Sequence, residues 1–282
     1  MDVDSRLLEL TERALAREGP LVFLTGAGIS AESGIPTFRG AEGYWQIGST
    51  NYQPEELATY QAFTAMPEEI WAWYLYRRGV CRAAKQNAAH LALVSLEGVL
   101  GDRFLLVTQN VDGLHLRAGN TLARTYQIHG NIDYLRCEAE YPRVRLIPEL
   151  LALEWSKSRK LVAEELAALR CCEGAALSRP HVLWFDESYD EPLFRYESSM
   201  DAARRAAMLV VVGTSGATTL PNHLVTVAAQ RGIPLICVNP DESPFTRITA
   251  QLEHGLVLRG TATEWMPKLA RALGVRLSAR AP

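Results

Sequence analysis

Leu21-Val22-Phe23-Leu24-Thr25-Gly26-Ala27-Gly28-Ile29-Ser30-Ala31 is the stretch from which the rest of the chain can be read. Its first five residues, apolar up to the final threonine, fit a strand buried on both faces, as in a parallel sheet. The G-x-G-x-x-A that follows suits a turn into a helix. In such a turn, glycines let the backbone approach a pyrophosphate and the helix N-terminus faces negative charge. Alone, the pattern fits an ordinary strand–helix turn equally well. A dehydrogenase of the usual dinucleotide-binding kind would show a second strand ending in an acid about 20 residues further on. Here the chain runs instead into Gly34-Ile35-Pro36-Thr37-Phe38-Arg39-Gly40, a loop punctuated by Gly and Pro. An Arg on such a loop can cover a phosphate, and a Phe can wall off a planar ring.

Working outward, apolar runs of the same kind recur at Phe104–Thr108, Val182–Phe185, Met208–Val212, Leu235–Val238 and Leu256–Leu258. Helical patterns lie between them, as at Asn87–Leu96 and Asn222–Gln230. The alternation predicts an α/β fold: a doubly wound, mostly parallel Rossmann-like sheet. Two stretches interrupt it. Residues 36–86 are rich in aromatics and helix formers, and residues 131–180 carry Cys137, Cys171 and Cys172 with a long apolar run, Leu146–Leu169, read as helix. We therefore expect a Rossmann-like domain of residues 1–35, 87–130 and 181–282, and a smaller inserted helical module of 36–86 and 131–180.

The bulk properties narrow the function classes. With 282 residues the chain can bury one large core or two modest ones, and 48% hydrophobic with 22% charged residues is ordinary for a soluble globular protein. No run approaches the ~20 apolar residues of a membrane span. The first twenty residues read as an amphipathic helix without the features of a signal or transit peptide, so the expected location is cytoplasmic. A net charge of −3 without a long basic run argues against nucleic-acid binding. Five cysteines in a chain this long do not make a secreted disulfide framework, so reduced thiols are expected. Nothing in the sequence sets an oligomeric state.

Polar clusters follow several of the apolar runs. Gln109-Asn110-Val111-Asp112-Gly113-Leu114-His115 follows Phe104–Thr108, Gly213-Thr214-Ser215 follows Met208–Val212, and Asn239-Pro240-Asp241 follows Leu235–Val238. In α/β sheets the carboxyl ends of strands are where ligands bind. Each cluster alone reads as well as a cap or a turn, but their recurrence at successive strand ends does not. His129, in Ile128-His129-Gly130, is a lone histidine that can be structural or can act as a general base.

In order, GAGIS, GIPTFRG, TQNVDGLH, the His129-Gly130 pair, RPHVLWFDE, GTSG and VNPD resemble the sirtuin series over roughly residues 20–267. The resemblance implies an NAD-dependent protein-lysine deacylase that consumes NAD. An acyl oxygen attacks the nicotinamide ribose, nicotinamide leaves, and the products are lysine and O-acyl-ADP-ribose. It implies that Gly26, Ala27, Gly28, Thr37, Phe38, Arg39, Gln109, Asn110, Asp112, Gly213, Thr214, Ser215, Asn239, Asp241 and Ala262 hold NAD. His129 would be the general base, with Asn110 beside it in the catalytic set, and Phe185 would meet the substrate backbone. Trp73-Tyr74-Leu75-Tyr76-Arg77-Arg78 resembles the place where class III sirtuins carry a Tyr and an Arg for an acidic acyl group. This gives Tyr74 and Arg77 as the pocket for a succinyl or malonyl carboxylate on a protein substrate.

Two departures stand out. Most sirtuins hold a structural zinc with two Cys-x-x-Cys pairs, but Cys137-Glu138-Ala139-Glu140 lacks the second thiol and Cys171-Cys172 is not a spaced pair. The expectation is no metal, with the apolar run Leu146–Leu169 packing in place of the zinc. Three thiols with His181 or a carboxylate remain an alternative ligand set. In addition, Asp186 stands where the family has Gly, and its charge near an acidic acyl group counts against the dicarboxyl reading. Alternatives to deacylation are an NAD glycohydrolase or ADP-ribosyltransferase on the same scaffold, or a catalytically silent NAD sensor.

Overall fold

Leu21–Thr25 forms the central strand, β1. The others, in chain order, are β2 (Trp45–Ile47), β3 (Thr50–Tyr52), β4 (Phe104–Thr108), β5 (Thr125–Gln127), β6 (Gly130–Arg136), β7 (Val144–Leu146), β8 (Arg179–Val182), β9 (Met208–Val212), β10 (Leu235–Val238) and β11 (Gly255–Leu258). This computed structural model describes residues 2–35, 45–47, 50–151, 155–157, 159–171 and 176–279. Six strands form one parallel sheet in the order β11-β10-β9-β1-β4-β5. Chain order therefore reverses between β1 and β9, the crevice where doubly wound sheets bind ligands.

The continuous apolar runs are explained by helices on both faces. Leu21 and Phe23 point into one cluster with Leu7, Leu10, Leu93, Leu96 and Leu269, from the helices Val3–Leu15, Ala88–Leu100 and Ala262–Ala279. Val22 and Leu24 point the other way, against Met200, Leu220 and Leu224 from the helices Tyr196–Arg205 and Thr219–Gln230. Burying a Val, Leu or Phe side chain contributes about 1.5–3 kcal/mol, and every such position of β1 and β4 is buried.

A three-stranded antiparallel sheet, β7-β6-β8, forms a second, smaller unit. Against it packs the helix Pro67–Ala83, which has Pro at its first position, Glu68 and Glu69 in its first turn and Arg82 in its last. One side of this helix places Trp73 and Tyr74 with Leu57, Val182 and Trp184. The other places Trp71 and Leu75 with Leu135, Ile147, Leu151, Trp155 and Leu169.

Three expectations are corrected. The run Val182–Phe185 is not a strand of the main sheet; the strand is Arg179–Val182, antiparallel to β6. Leu146–Leu169 is not a long helix, since Leu146 ends β7, Leu151 N–H turns back onto the Pro148 carbonyl, and among the described residues of the stretch only Ala163–Ala168 is helical. Strand pairing and the Pro148 turn occupy backbone groups that a helix would need, while Ile147, Leu151, Trp155 and Leu169 still reach the apolar cluster. Finally, Cys137 and Cys171 are joined in a disulfide, with Cα atoms 5.8 Å apart, whereas reduced thiols were expected. Their separation of 34 residues gave no sign that they would meet. Cys81 and Cys237 are free and buried, and burial pushes both thiols up to about 12. Among the described residues no three His, Cys, Asp or Glu side chains cluster as a metal site, and Cys172 lies outside them.

Candidate active site

At the switch point the loops leaving β1 and β9 touch backbone to backbone. Gly26 N–H donates to the Val212 carbonyl at 3.0 Å, and Gly28 N–H to the Gly213 carbonyl at 2.8 Å. A Cβ on Gly28 would lie 2.7 Å from the Gly213 Cα. Gly213 has φ +59, and a Cβ there would lie 2.6 Å from the Ile29 nitrogen. The glycines of GAGIS and GTSG are thus needed for each other, before any ligand is considered. Gly213→Ala should cost on the order of 2–4 kcal/mol, from left-handed backbone plus the clash. Denaturant unfolding measures this, and an unchanged midpoint would contradict it.

Around this contact the polar strand ends interlock. Gln109, after β4, donates through Nε2 to Thr214 Oγ1 at 2.9 Å and accepts from Thr218 Oγ1 at 3.0 Å. Ser30 donates to Asp112 Oδ2 at 2.7 Å and accepts from Asn110 Nδ2 at 3.0 Å, so the helix opening at Gly28 is tied to the end of β4. Asp112 also takes the Leu114 N–H at 2.8 Å, and Asn239, after β10, donates to the Thr214 carbonyl at 3.1 Å. Asp241 is exposed beside Asn239, Ser215 follows Thr214, and Ala262 is buried at the start of the last helix. The structure therefore brings the ends of β1, β4, β9 and β10 together as one set of amide, hydroxyl and carboxylate groups. Such a set, with close-approach glycines, fits the phosphates and ribose hydroxyls of a dinucleotide. Thr37, Phe38 and Arg39 lie outside the described residues.

His129 sits just beyond β5, where Gly130 (φ +83) presses against β8 so closely that a Cβ would lie 2.1 Å from the His181 carbonyl oxygen. Its Nδ1 is 3.0 Å from the Gln109 carbonyl and its Nε2 is 2.8 Å from the Tyr189 hydroxyl. A carbonyl only accepts, so Nδ1 carries the proton and Nε2 presents its lone pair to the phenol, which donates. Burial drives the imidazole down to about 4, against the raising effect of the Gln109 carbonyl. The ring is neutral at physiological pH, the form a base needs. Two further histidines are structural: His90 and His115 lie ring to ring at 4.9 Å, with His115 Nε2 3.1 Å from Thr25 Oγ1.

Farther out, Tyr74 is buried and its hydroxyl accepts from Trp184 Nε1 at 2.8 Å. Arg77, one turn later, lies with its guanidinium 5.1 Å from the centre of the Trp73 ring. The adjacent Arg78 has a different role: it is buried, and its Nε donates to Asp133 Oδ1 at 2.8 Å. Asp186, the departure from Gly, is engaged by backbone. Its carboxylate accepts from Tyr60 N–H at 2.8 Å and Gln61 N–H at 3.2 Å, at the start of the helix Tyr60–Ala65. A carboxylate there is favoured by the helix dipole. Phe185 is exposed, and its N–H donates to the Ala58 carbonyl at 3.0 Å.

Sequence reasoning missed Ser30, Thr218 and Tyr189 as members of this site. Ser30 stood inside a quoted motif, but its bond to Asp112 spans 82 residues. Tyr189 had no signal in the sequence, since it meets His129 only because β6 and β8 pair.

A protein-family model described as the Sir2 family matches residues 26–219. An NAD-dependent protein deacylase of Leptospira interrogans is 39% identical over 252 residues, which are 89% of this chain and 91% of that protein. Another, of Thermus thermophilus, is 40% identical over 265 residues, 93% of each. Among solved structures, a Sir2 homolog–NAD complex superposes with a TM-score of 0.77 at 36% identity, over 95% of this chain and 94% of that one. A Sir2–p53 peptide–NAD+ complex gives 0.70 at 25% identity, over 95% and 98%.

Proposed function

The chain belongs to the Sir2 family and is an NAD-dependent protein deacylase, and we propose that it prefers acidic acyl groups, succinyl or malonyl, over acetyl. The observation that carries this preference is the bond from Trp184 Nε1 to the Tyr74 hydroxyl. It occupies a lone pair of the phenol oxygen and leaves the phenol proton to donate, as a carboxylate requires. Arg77, on the same helix and one turn on, supplies the charge that burial of a carboxylate demands. Asp186, the acid that counted against this reading, accepts from the Tyr60 and Gln61 N–H groups, which offset part of its charge.

On the same reading, the Rossmann-like part holds NAD at the switch point, through Gly26, Ala27, Gly28, Gln109, Asn110, Asp112, Gly213, Thr214, Ser215, Asn239, Asp241 and Ala262. Thr37, Phe38 and Arg39, which follow GAGIS in the sequence, complete the set. His129 takes the proton of a ribose hydroxyl through Nε2, with Asn110 beside it. The inserted stretches 36–86 and 131–180 supply the acyl pocket, and Phe185 lies along the substrate backbone.

The test is incubation with NAD and lysine peptides bearing acetyl, malonyl or succinyl groups, following nicotinamide release and peptide mass together. The expected result is kcat/KM at least about tenfold higher for an acidic group, the worth of one net charged hydrogen bond. Equal or acetyl-favouring turnover overturns the preference. Nicotinamide release without a change in peptide mass would point to glycohydrolysis instead.

A further inference from the structure

A tyrosine hydroxyl, that of Tyr189, occupies the lone pair of the histidine read as the base. Tyr189 is not loosely placed there. On one side Glu187 is gripped by both terminal nitrogens of Arg179, at 2.6 and 2.7 Å, and by the Trp184 N–H at 2.9 Å. On the other side Asp190 caps the helix Glu191–Phe194, accepting from the Leu193 N–H at 2.8 Å, while its carbonyl takes the Tyr196 N–H at 3.2 Å. The Tyr189 ring lies 6.2 Å from that of Tyr196, and its oxygen also meets the Thr218 side chain and the Leu220 backbone. Thr218 in turn donates to the side-chain oxygen of Gln109, while the Gln109 backbone carbonyl takes the His129 Nδ1 proton. Both nitrogens of His129 are therefore set by a connected group of residues from the β4 end, the β8 exit and the loop after β9.

We infer that Tyr189 is a positioning residue whose hydroxyl stands in for a ribose hydroxyl on His129 Nε2, so that the ligand must displace the phenol to reach the base. This rests on the reading of His129 as the group that meets the ribose. The fixed Nδ1–H···Gln109 bond allows Nε2 a single donor at a time, since an unprotonated imidazole nitrogen has one lone pair in the ring plane. The phenol keeps that lone pair directed outward and hydrated groups off it. The proton of the displacing hydroxyl then faces Nε2 with no rotation of the ring. Tyr189 itself neither gains nor loses a proton in the exchange.

The test is a binding cycle on the full chain without acyl peptide, so that no turnover enters. NAD affinity is measured by calorimetry for the wild type, Tyr189→Phe, His129→Ala and the double variant. Removing the competing hydroxyl should tighten NAD about 2- to 10-fold, the equivalent of one neutral hydrogen bond, when His129 is present. In the His129→Ala background the same change should have no effect. An equal effect in both backgrounds, or weaker binding in Tyr189→Phe with His129 present, overturns the proposal, because a packing role alone would act without the histidine. A measurement on the unmutated protein guards against a misfolded variant. Nitrogen NMR of His129 should show Nδ1 protonated and Nε2 as an acceptor, and a proton on Nε2 overturns the proposal as well. Retained deacylation in His129→Ala would remove the base reading, and it is separable because the cycle reads binding alone.

Discussion

His129→Ala is expected to lower turnover of acyl-peptide by about 10²–10⁴-fold, the usual contribution of a positioned general base. NAD should still bind, because the expected NAD contacts come mainly from the ends of β1, β4, β9 and β10, whose mutual hydrogen bonds do not pass through the imidazole. The fold should survive too, since the two bonds of the ring go to a carbonyl and a phenol at the rim of the sheet and join no core cluster. Because burial holds the imidazole down to about 4, the ring is predominantly unprotonated at neutral pH. A base is competent when unprotonated, so His129 should impose no acid limb on kcat/KM until the pH approaches about 4. The measurement is single-turnover deacylation across pH for wild type and variant, with melting curves alongside. Unchanged turnover in the variant would remove His129 from the chemistry.

What the sequence made legible here depended on how local its cause was. Strands β1, β4, β9 and β10 were readable residue by residue, because a strand covered on both faces needs an unbroken apolar run. The same rule hid β5, whose three residues Thr125–Gln127 lie at the sheet edge and carry polar side chains. The polar strand ends were legible as a group, since their place after each run is fixed by topology. Their partners were not: Ser30 with Asp112, Gln109 with Thr214 and His129 with Tyr189 are separated by 82, 105 and 60 residues. The Leu146–Leu169 stretch misled because an apolar pattern records burial and not the backbone that achieves it. Ile147, Leu151 and Trp155 are buried as the pattern required, with Ile147 just past β7 and Leu151 turned back onto Pro148. Asp186 shows the converse case. Read alone it was a stray charge near a pocket, and only the fold reveals that it caps the helix at Tyr60.

Arg77→Met should lower kcat/KM for succinyl-lysine peptide by two to three orders of magnitude or more. A carboxylate drawn from water to Arg77, beside the buried cluster of Trp73, Tyr74 and Trp184, would lose its hydration and have to be paired. Removing one partner of a buried pair typically costs about 3–5 kcal/mol. Methionine keeps much of the arginine's length and can still lie against the Trp73 ring, so the packing beneath the guanidinium is largely preserved. Acetyl-lysine carries no charge to pair, and its turnover should hold steady or rise as the pocket becomes more apolar. The ratio of the two substrates' kcat/KM values, wild type against variant, is therefore the quantity to follow. Tyr74→Phe gives an independent arm: it deletes the phenol proton and leaves Trp184 Nε1 without its acceptor, so the succinyl rate should fall by a smaller factor. Arg78 makes a poor comparator, because its bond to Asp133 joins the helix to β6 and its loss would act through stability. If Arg77→Met lowers both substrates equally, the guanidinium supports the helix or the cofactor side, and the acidic-acyl preference falls with it. If the wild type already favours acetyl-lysine, Asp186→Gly decides whether the cap at Tyr60 is the cause. That variant releases the helix start and removes the acid in one step, and a shift towards succinyl-lysine would locate the discrimination in the segment that carries Phe185.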